Sequence, residues 1–276
     1  MKSLFLVLCA ALAVSASAKT TFRYGSKAGD ALKYRMVSTS EMNTSQMGQE
    51  QTINMKTDGM LAVNVESATN DAFTYTSAFD LLKMKVAMGE RMDTTLEVKD
   101  LIGRRTRHEA TLMGHEISSM VIDTVKWSDP MIQQFASQVK GMARIFMELP
   151  ENGMSTGDTW TVARKDTQQS DGGAIMSDTK INATYLRECD TLGHKCAVFG
   201  YTVTVGIEGK MKIQKMFDAA VTGDGSGKGN VYFDAAAGKL IANINTMEMN
   251  QSVAITGQMS MVIPSTITSN TSMVLQ

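Results

Sequence analysis

The chain is short of the residues that chemistry usually needs. It holds three histidines in 276 residues, and three cysteines, of which Cys9 lies in an N-terminal apolar run. Histidine is the commonest proton-shuttling side chain, so its scarcity weighs against general acid–base catalysis. The other two cysteines, Cys189 and Cys196, lack the C-x-x-C spacing, which removes a thioredoxin-like centre. Beyond the leader no stretch approaches ~20 consecutive apolar residues, so no transmembrane anchor is expected in the mature chain. Neither sign of charge dominates, since 27 basic and 28 acidic residues are interspersed and the formal net charge is −1. That distribution gives no electrostatic footprint for nucleic acid.

Motifs that first suggest chemistry fail on spacing. Within residues 223–229, GDGSGKG, a phosphate-binding loop fails because Thr222 stands where glycine is needed and Gly229 where Ser or Thr is needed. Asp224 also rules out a serine-hydrolase elbow, so a flexible loop between strands is expected there. His108-Glu109 and His115-Glu116 lack the spacing of a metalloprotease helix. A hairpin turning at Met113-Gly114 would place His108 opposite Ser119 and hold the imidazoles apart. No acid pair and no serine–histidine set emerges, so neither an enzyme nor a metal or other cofactor is expected.

What is present begins with a leader. Lys2, the run LFLVLCAALAV and Ala16-Ser17-Ala18 form a secretory signal over residues 1–18, so the mature chain starts at Lys19 in the periplasm or outside the cell. In an exported chain Cys189 and Cys196 read as a disulfide. A four-residue loop, Thr191 to His194, would set them opposite each other across a hairpin.

Most of the mature chain alternates with period two. Leu32, Tyr34, Met36 and Met42 share one parity, as do Ile53, Met55, Leu61, Val63 and Val65, and then Leu82, Met84, Val86 and Met88. Met247, Met249, Val253, Ile255, Met259, Met261 and Ile263 are all odd, whereas Leu240, Ala242 and Ile244 are even. A phase reset near 245 is therefore required. Residues 127–149 instead repeat apolar side chains at three- and four-residue steps after Ser128-Asp129-Pro130, predicting an amphipathic helix that stops at Pro150. The halves 19–126 and 150–276 echo each other: Gly29-Asp30 matches Gly157-Asp158, and Lys83-Met84-Lys85-Val86 matches Lys210-Met211-Lys212-Ile213. The expected fold is mainly β (α+β). Two related, antiparallel, curved sheets from an internal duplication share a core, with the central helix packed on a sheet face.

Methionine is abundant, at 23 residues. Its pliable thioether lines sites that accept varied apolar molecules. The candidate ligand-binding set is Phe135, Val139, Met142 and Phe146 from the helix, with Met211, Met247, Met249, Met259 and Met261 from strands. The pairs Met247-Glu248-Met249 and Met259-Ser260-Met261 also have the M-x-M form that thioethers use for Cu(I).

The motifs Gly-Asp-Thr-Trp (157–160), Gly-Ser-Gly-Lys-Gly (225–229) and Tyr-Phe-Asp-Ala-Ala-Ala-Gly-Lys-Leu (232–240) resemble an uncharacterised family of exported bacterial proteins, domain of unknown function 6263. That resemblance implies no catalytic residues. The segment Phe233-Asp234…Gly238-Lys239 also resembles a hairpin in lipoprotein-carrier half-barrels of the LolA and LppX type, which hold acyl chains between a curved sheet and helices. The functional expectation is an exported, non-enzymatic envelope protein that binds an apolar or lipid-like molecule. The alternative is a structural module with a solid core and an envelope protein partner.

Overall fold

The computed structural model describes residues 19–46, 48–89, 92–123, 145–170, 173–213, 217–257 and 260–276. Twelve strands account for most of them: β1 (Ala31–Gln46), β2 (Gln49–Ala68), β3 (Ala72–Met88), β4 (Met92–Glu97), β5 (Thr106–Thr111), β6 (Glu116–Val121), β7 (Thr159–Ser170), β8 (Gly173–Thr191), β9 (His194–Ile213), β10 (Phe217–Asp234), β11 (Lys239–Thr256) and β12 (Met261–Leu275). All belong to one antiparallel sheet in the order β6-β5-β3-β2-β1-β12-β11-β10-β9-β8-β7, with β4 beside the far end of β3. The sheet does not close, since β6 and β7 are its edges.

This corrects the expectation of two sheets. The halves are fused through β1 and β12, paired from Tyr34↔Leu275 to Thr44↔Ser265. Nothing in a local pattern selects that contact, because every strand edge offers the same backbone donors and acceptors.

The central helix is corrected as well. The described residues contain no α-helix, only a short 3-10 turn at Lys99–Leu101. Residues 127–144 lie outside them, and 145–149 are irregular. There the backbone is bonded elsewhere: the Leu149 amide donates to Met113 O at 2.7 Å, the Tyr24 hydroxyl to Met147 O at 3.0 Å, and the Trp160 indole to Glu148 O at 3.0 Å. These tertiary partners take groups that a helix would use internally.

One face of the sheet carries the core, and ring contacts show that the sheet is rolled around that face. Tyr24 touches Phe73 on β3, with centroids 6.3 Å apart, and Phe233 on β10, at 5.3 Å. These strands are five steps apart in the sheet, about 24 Å if it were flat. The N-terminal strap enforces the roll, with Phe22 packed on Tyr185, Phe199 and Phe233, and with Thr20 bridged to Met154. The turns β5–β6 and β10–β11 meet the same strap through Leu112 O and Gly238 O, so this end is closed.

Bulges keep the apolar side chains on the inner face. Asp80 is looped out opposite the step from Met60 to Leu61, moving the inward parity of β3 from Phe79 to Leu82. Ile241 is looped out between Leu240 and Ala242, so the anticipated phase reset falls at 241.

Residues 223–229 are not a flexible loop. They lie in β10 with Gly223, Gly225, Gly227 and Gly229 all facing inward. A Cβ at Gly227 would stand 2.6 Å from Thr246 O, and one at Gly225 2.9 Å from Glu248 O. The inner side of the roll is thus compressed at β10, and glycine permits it.

The two halves repeat a local device. Gly29 (φ 90°) and Gly157 (φ 95°) each precede an aspartate, and the Gly29-Asp30 backbone exchanges hydrogen bonds with Val65 as Gly157-Asp158 does with Tyr185. Both partners directly precede a bulge, at Glu66 and Leu186.

Candidate functional site

Away from the closed end the inner face continues as a half-buried trough. One register row across it reads Met88, Ile53, Met42, Ile267, Met249, Gly225 and Val205. The next row toward the core reads Val86, Met55, Ser40, Ser269, Met247, Gly227 and Val203. The third reads Met84, Thr57, Ser38, Thr271, Asn245, Gly229 and Tyr201. On the open side of the first row stand Gln51, Thr44, Ser265, Gln251 and Gly223. The trough thus carries an apolar row and a mixed row, both bearing methionine, between two rows dominated by uncharged polar side chains.

Of the residues expected to bind a ligand, Met211, Met247, Met249 and Met261 are brought to this face, each half-buried. Met211 and Met261 share a row with Ala219 and Ile255 between them. Phe146 is not with them, for it packs at the closed end against Tyr24, Phe73 and Tyr75. Phe135, Val139, Met142 and Met259 lie outside the described residues. Met42, Ile53, Met55 and Met88 were visible in the alternation, but only the register places them beside the C-terminal methionines.

The polar row is internally bonded. Ser38 Oγ lies 2.9 Å from Thr271 Oγ1. The Tyr201 hydroxyl donates to Asn243 Oδ1 at 3.0 Å and also meets the Asn245 side chain. Burial raises the Tyr201 pKa against the lowering effect of these amides, so the phenol stays neutral. Charges stand on the opposite face, with Lys33–Asp80 at 2.7 Å and Arg35–Asp58 at 3.2 Å. That outer face carries open grooves of about 480 to 620 Å³ lined by residues such as Asp178, Lys180, Ser226 and Glu248. Charged side chains line each of these grooves, among them Lys56, Lys85, Asp224 and Lys228, whereas the trough rows carry none, so for an apolar molecule the inner trough is the better candidate.

A serine–histidine–acid line that spacing could not show lies across β3, β5 and β6. Ser77 Oγ is 3.0 Å from His108 Nε2, and His108 Nδ1 is 3.3 Å from Glu116 Oε2. The hairpin puts His108 opposite Ser119, as the sequence predicts. Ser77 and His108 are each only 2% exposed and the imidazole stacks on Tyr75, so a substrate has no path to the hydroxyl. The line satisfies a buried histidine.

Cys189 and Cys196 are opposite one another in register, but both thiols are free, so the expected disulfide is not formed here. The connection is a two-residue turn, Leu192-Gly193, shorter than the four-residue loop anticipated. Burial, reinforced by Cys189 and nearby aspartates, pushes the Cys196 thiol up to about 11. Beside it His194 Nδ1 bonds Asp234 Oδ2 at 2.8 Å, tying the β8–β9 turn to the β10–β11 turn. Among the described residues no group of three or more His, Cys, Asp and Glu could hold a metal ion. Nor is any helix among them long and apolar enough to cross a membrane.

No family model and no curated protein matches the chain. Among solved structures it is similar to an outer membrane channel of Pseudomonas putida F1, at 7% identity and TM-score 0.22 over 94% of this chain and 100% of that one. It is similar also to OpdK of Pseudomonas aeruginosa, solved with vanillate, at 6% identity and TM-score 0.18 over 91% and 100%. A third likeness is the outer membrane channel DcaP of Acinetobacter baumannii, at 8% identity and TM-score 0.15 over 90% and 99%. Similarities this slight carry no argument about what the chain does, and none assigns it to a family.

Proposed function

We propose that this is an exported, non-enzymatic envelope protein that holds an apolar, lipid-like molecule against the inner face of its rolled sheet. The supporting observation is the row Met88, Ile53, Met42, Ile267 and Met249, apolar on five adjacent strands yet only half-buried. A face that serves only as core is normally buried throughout; here burial is complete at the aromatic end and partial where methionine dominates. All described strands belong to one sheet, so no second sheet among them covers that row. The leader over residues 1–18 supports export, and the resemblance to lipoprotein-carrier half-barrels agrees with a lipid-like cargo.

The test is titration of delipidated mature protein with the uncharged dye N-phenyl-1-naphthylamine. Saturable fluorescence enhancement is expected, lost in Met249→Lys and in Met55→Lys while the melting temperature is kept. A linear, non-saturating response together with a single ligand-free mass in native mass spectrometry would overturn the reading.

A further inference from the structure

The inner face differs from the outer in one respect beyond hydropathy. Along the trough, on six contiguous strands β2, β1, β12, β11, β10 and β9, no described inward position carries Asp, Glu, Lys, Arg or His; Lys195, at inward parity in β9, lies beyond the core at the closed end and pairs with Glu188 at 3.3 Å. The outward positions of the same strands carry many, including Arg35, Lys56, Asp58, Asp224, Lys228 and Glu248. Yet the inner face is not uniformly apolar. Thr57, Ser38, Thr271 and Asn245 are four consecutive members of one row, with Thr57 and Ser38 buried and the other two half-buried. When two hydroxyls bond each other, as Ser38 and Thr271 do, one O–H is consumed, leaving one donor and further lone pairs for a third partner.

From this we infer that the trough selects an uncharged amphiphile, one with hydroxyl or ester oxygens in its head, over a charged lipid of equal chain length. The inference rests on the function proposed above. The head lies on the polar row, where serine, threonine and asparagine supply both donors and acceptors. The chain lies on the methionine-rich row beside it. A carboxylate or ammonium group seated there would lose its water without meeting an opposite charge, whereas a hydroxyl or ester exchanges one set of hydrogen bonds for another. The ordered Tyr201–Asn243 bond bounds the patch on its β9 side.

The experiment is displacement of N-phenyl-1-naphthylamine from delipidated protein by laurate or by monolauroylglycerol at about pH 8.5, where laurate is ionised. Monolauroylglycerol is expected to displace the dye at least ten-fold more effectively. Equal displacement, or a preference for laurate, overturns the selectivity while leaving apolar binding standing. Failure of the dye itself to bind overturns the underlying function instead. Ser38→Val combined with Thr271→Val removes both partners together, so neither is orphaned, and should reduce the preference to within about three-fold while dye binding persists. If that variant does not fold, Thr271→Val alone is expected to cut the preference at least three-fold, and an unchanged preference counts against the proposal.

Discussion

Tyr201 lies over Gly229 so closely that a Cβ on the glycine would sit 2.7 Å from the phenolic oxygen. Only because position 229 lacks a side chain does the ring cross β10 and reach Asn243 on β11. The glycines of β10 therefore serve both the roll of the sheet and the polar floor of the trough.

Replacing Gly229 with Ala should displace the Tyr201 ring and press on Ile244 O, also 2.7 Å away. We expect a loss of about 1–3 kcal/mol, the cost usual for overpacking. Gly206→Ala is the control, since a Cβ there meets nothing within 4 Å, and it should be neutral or stabilising by about 0.4–1 kcal/mol. Urea denaturation of the two variants measures the difference.

His108→Ala would leave Ser77 and Glu116 facing a cavity beside Tyr75. A destabilisation of about 2–4 kcal/mol is expected from the lost volume and the buried Ser77 hydroxyl deprived of its imidazole partner. A fluorophosphonate probe should leave Ser77 unlabelled in the native protein. Stoichiometric labelling would show instead that the serine–histidine–glutamate line is reactive.

Leu192 has φ 52° and is 60% exposed, so it occupies the left-handed region with little packing in return. Asparagine suits the first position of such a turn. Leu192→Asn should stabilise by about 0.5–1 kcal/mol, read as a rise of a few degrees in melting temperature.

The thiols of Cys189 and Cys196 should respond differently to alkylation, because Cys189 is half-buried and Cys196 wholly buried. Iodoacetamide is expected to modify Cys189 first. Oxidised glutathione should couple them, each protein disulfide forming as one glutathione disulfide is reduced to two thiols. The mass then falls by about 2 Da, and stability rises by about 2–3 kcal/mol on the loop-entropy account.

In the reduced protein the raised Cys196 pKa carries a pH signature. The unfolded thiol ionises near 9.0 and the folded one near about 11, so between them the folded state binds more protons. The contribution of this group is fully present below pH about 9 and is lost as pH rises toward 11. Cys196→Ala should flatten that part of the stability profile, followed by urea midpoints.

Much of the architecture was legible in the residues themselves. Period-two runs gave the strands and their faces, since successive strand side chains point to opposite sides. Met113-Gly114 marked a turn that the structure also has, and Cys189 met Cys196 as the hairpin required. The inward orientation of Met211, Met247, Met249 and Met261 followed from parity alone. Residues 223–229 misled, because a glycine-rich run has the composition of a loop. Only the close approach of Glu248 O and Thr246 O explains glycine within a strand. Residues 145–149 misled because helical spacing does not reveal that Met113, Tyr24 and Trp160 will claim their backbone.

The sequence by itself determined a β protein whose long strands mostly have one apolar side, bearing methionine on several of them. Those are local properties, set by side-chain alternation and turn chemistry. The tertiary structure decided that β1 pairs with β12, so that two halves become one rolled sheet, and that Tyr201, Ser38, Thr271 and Asn243 share a floor. Backbone edges are chemically alike, and a strand's partner is chosen by what the whole chain can bury at once.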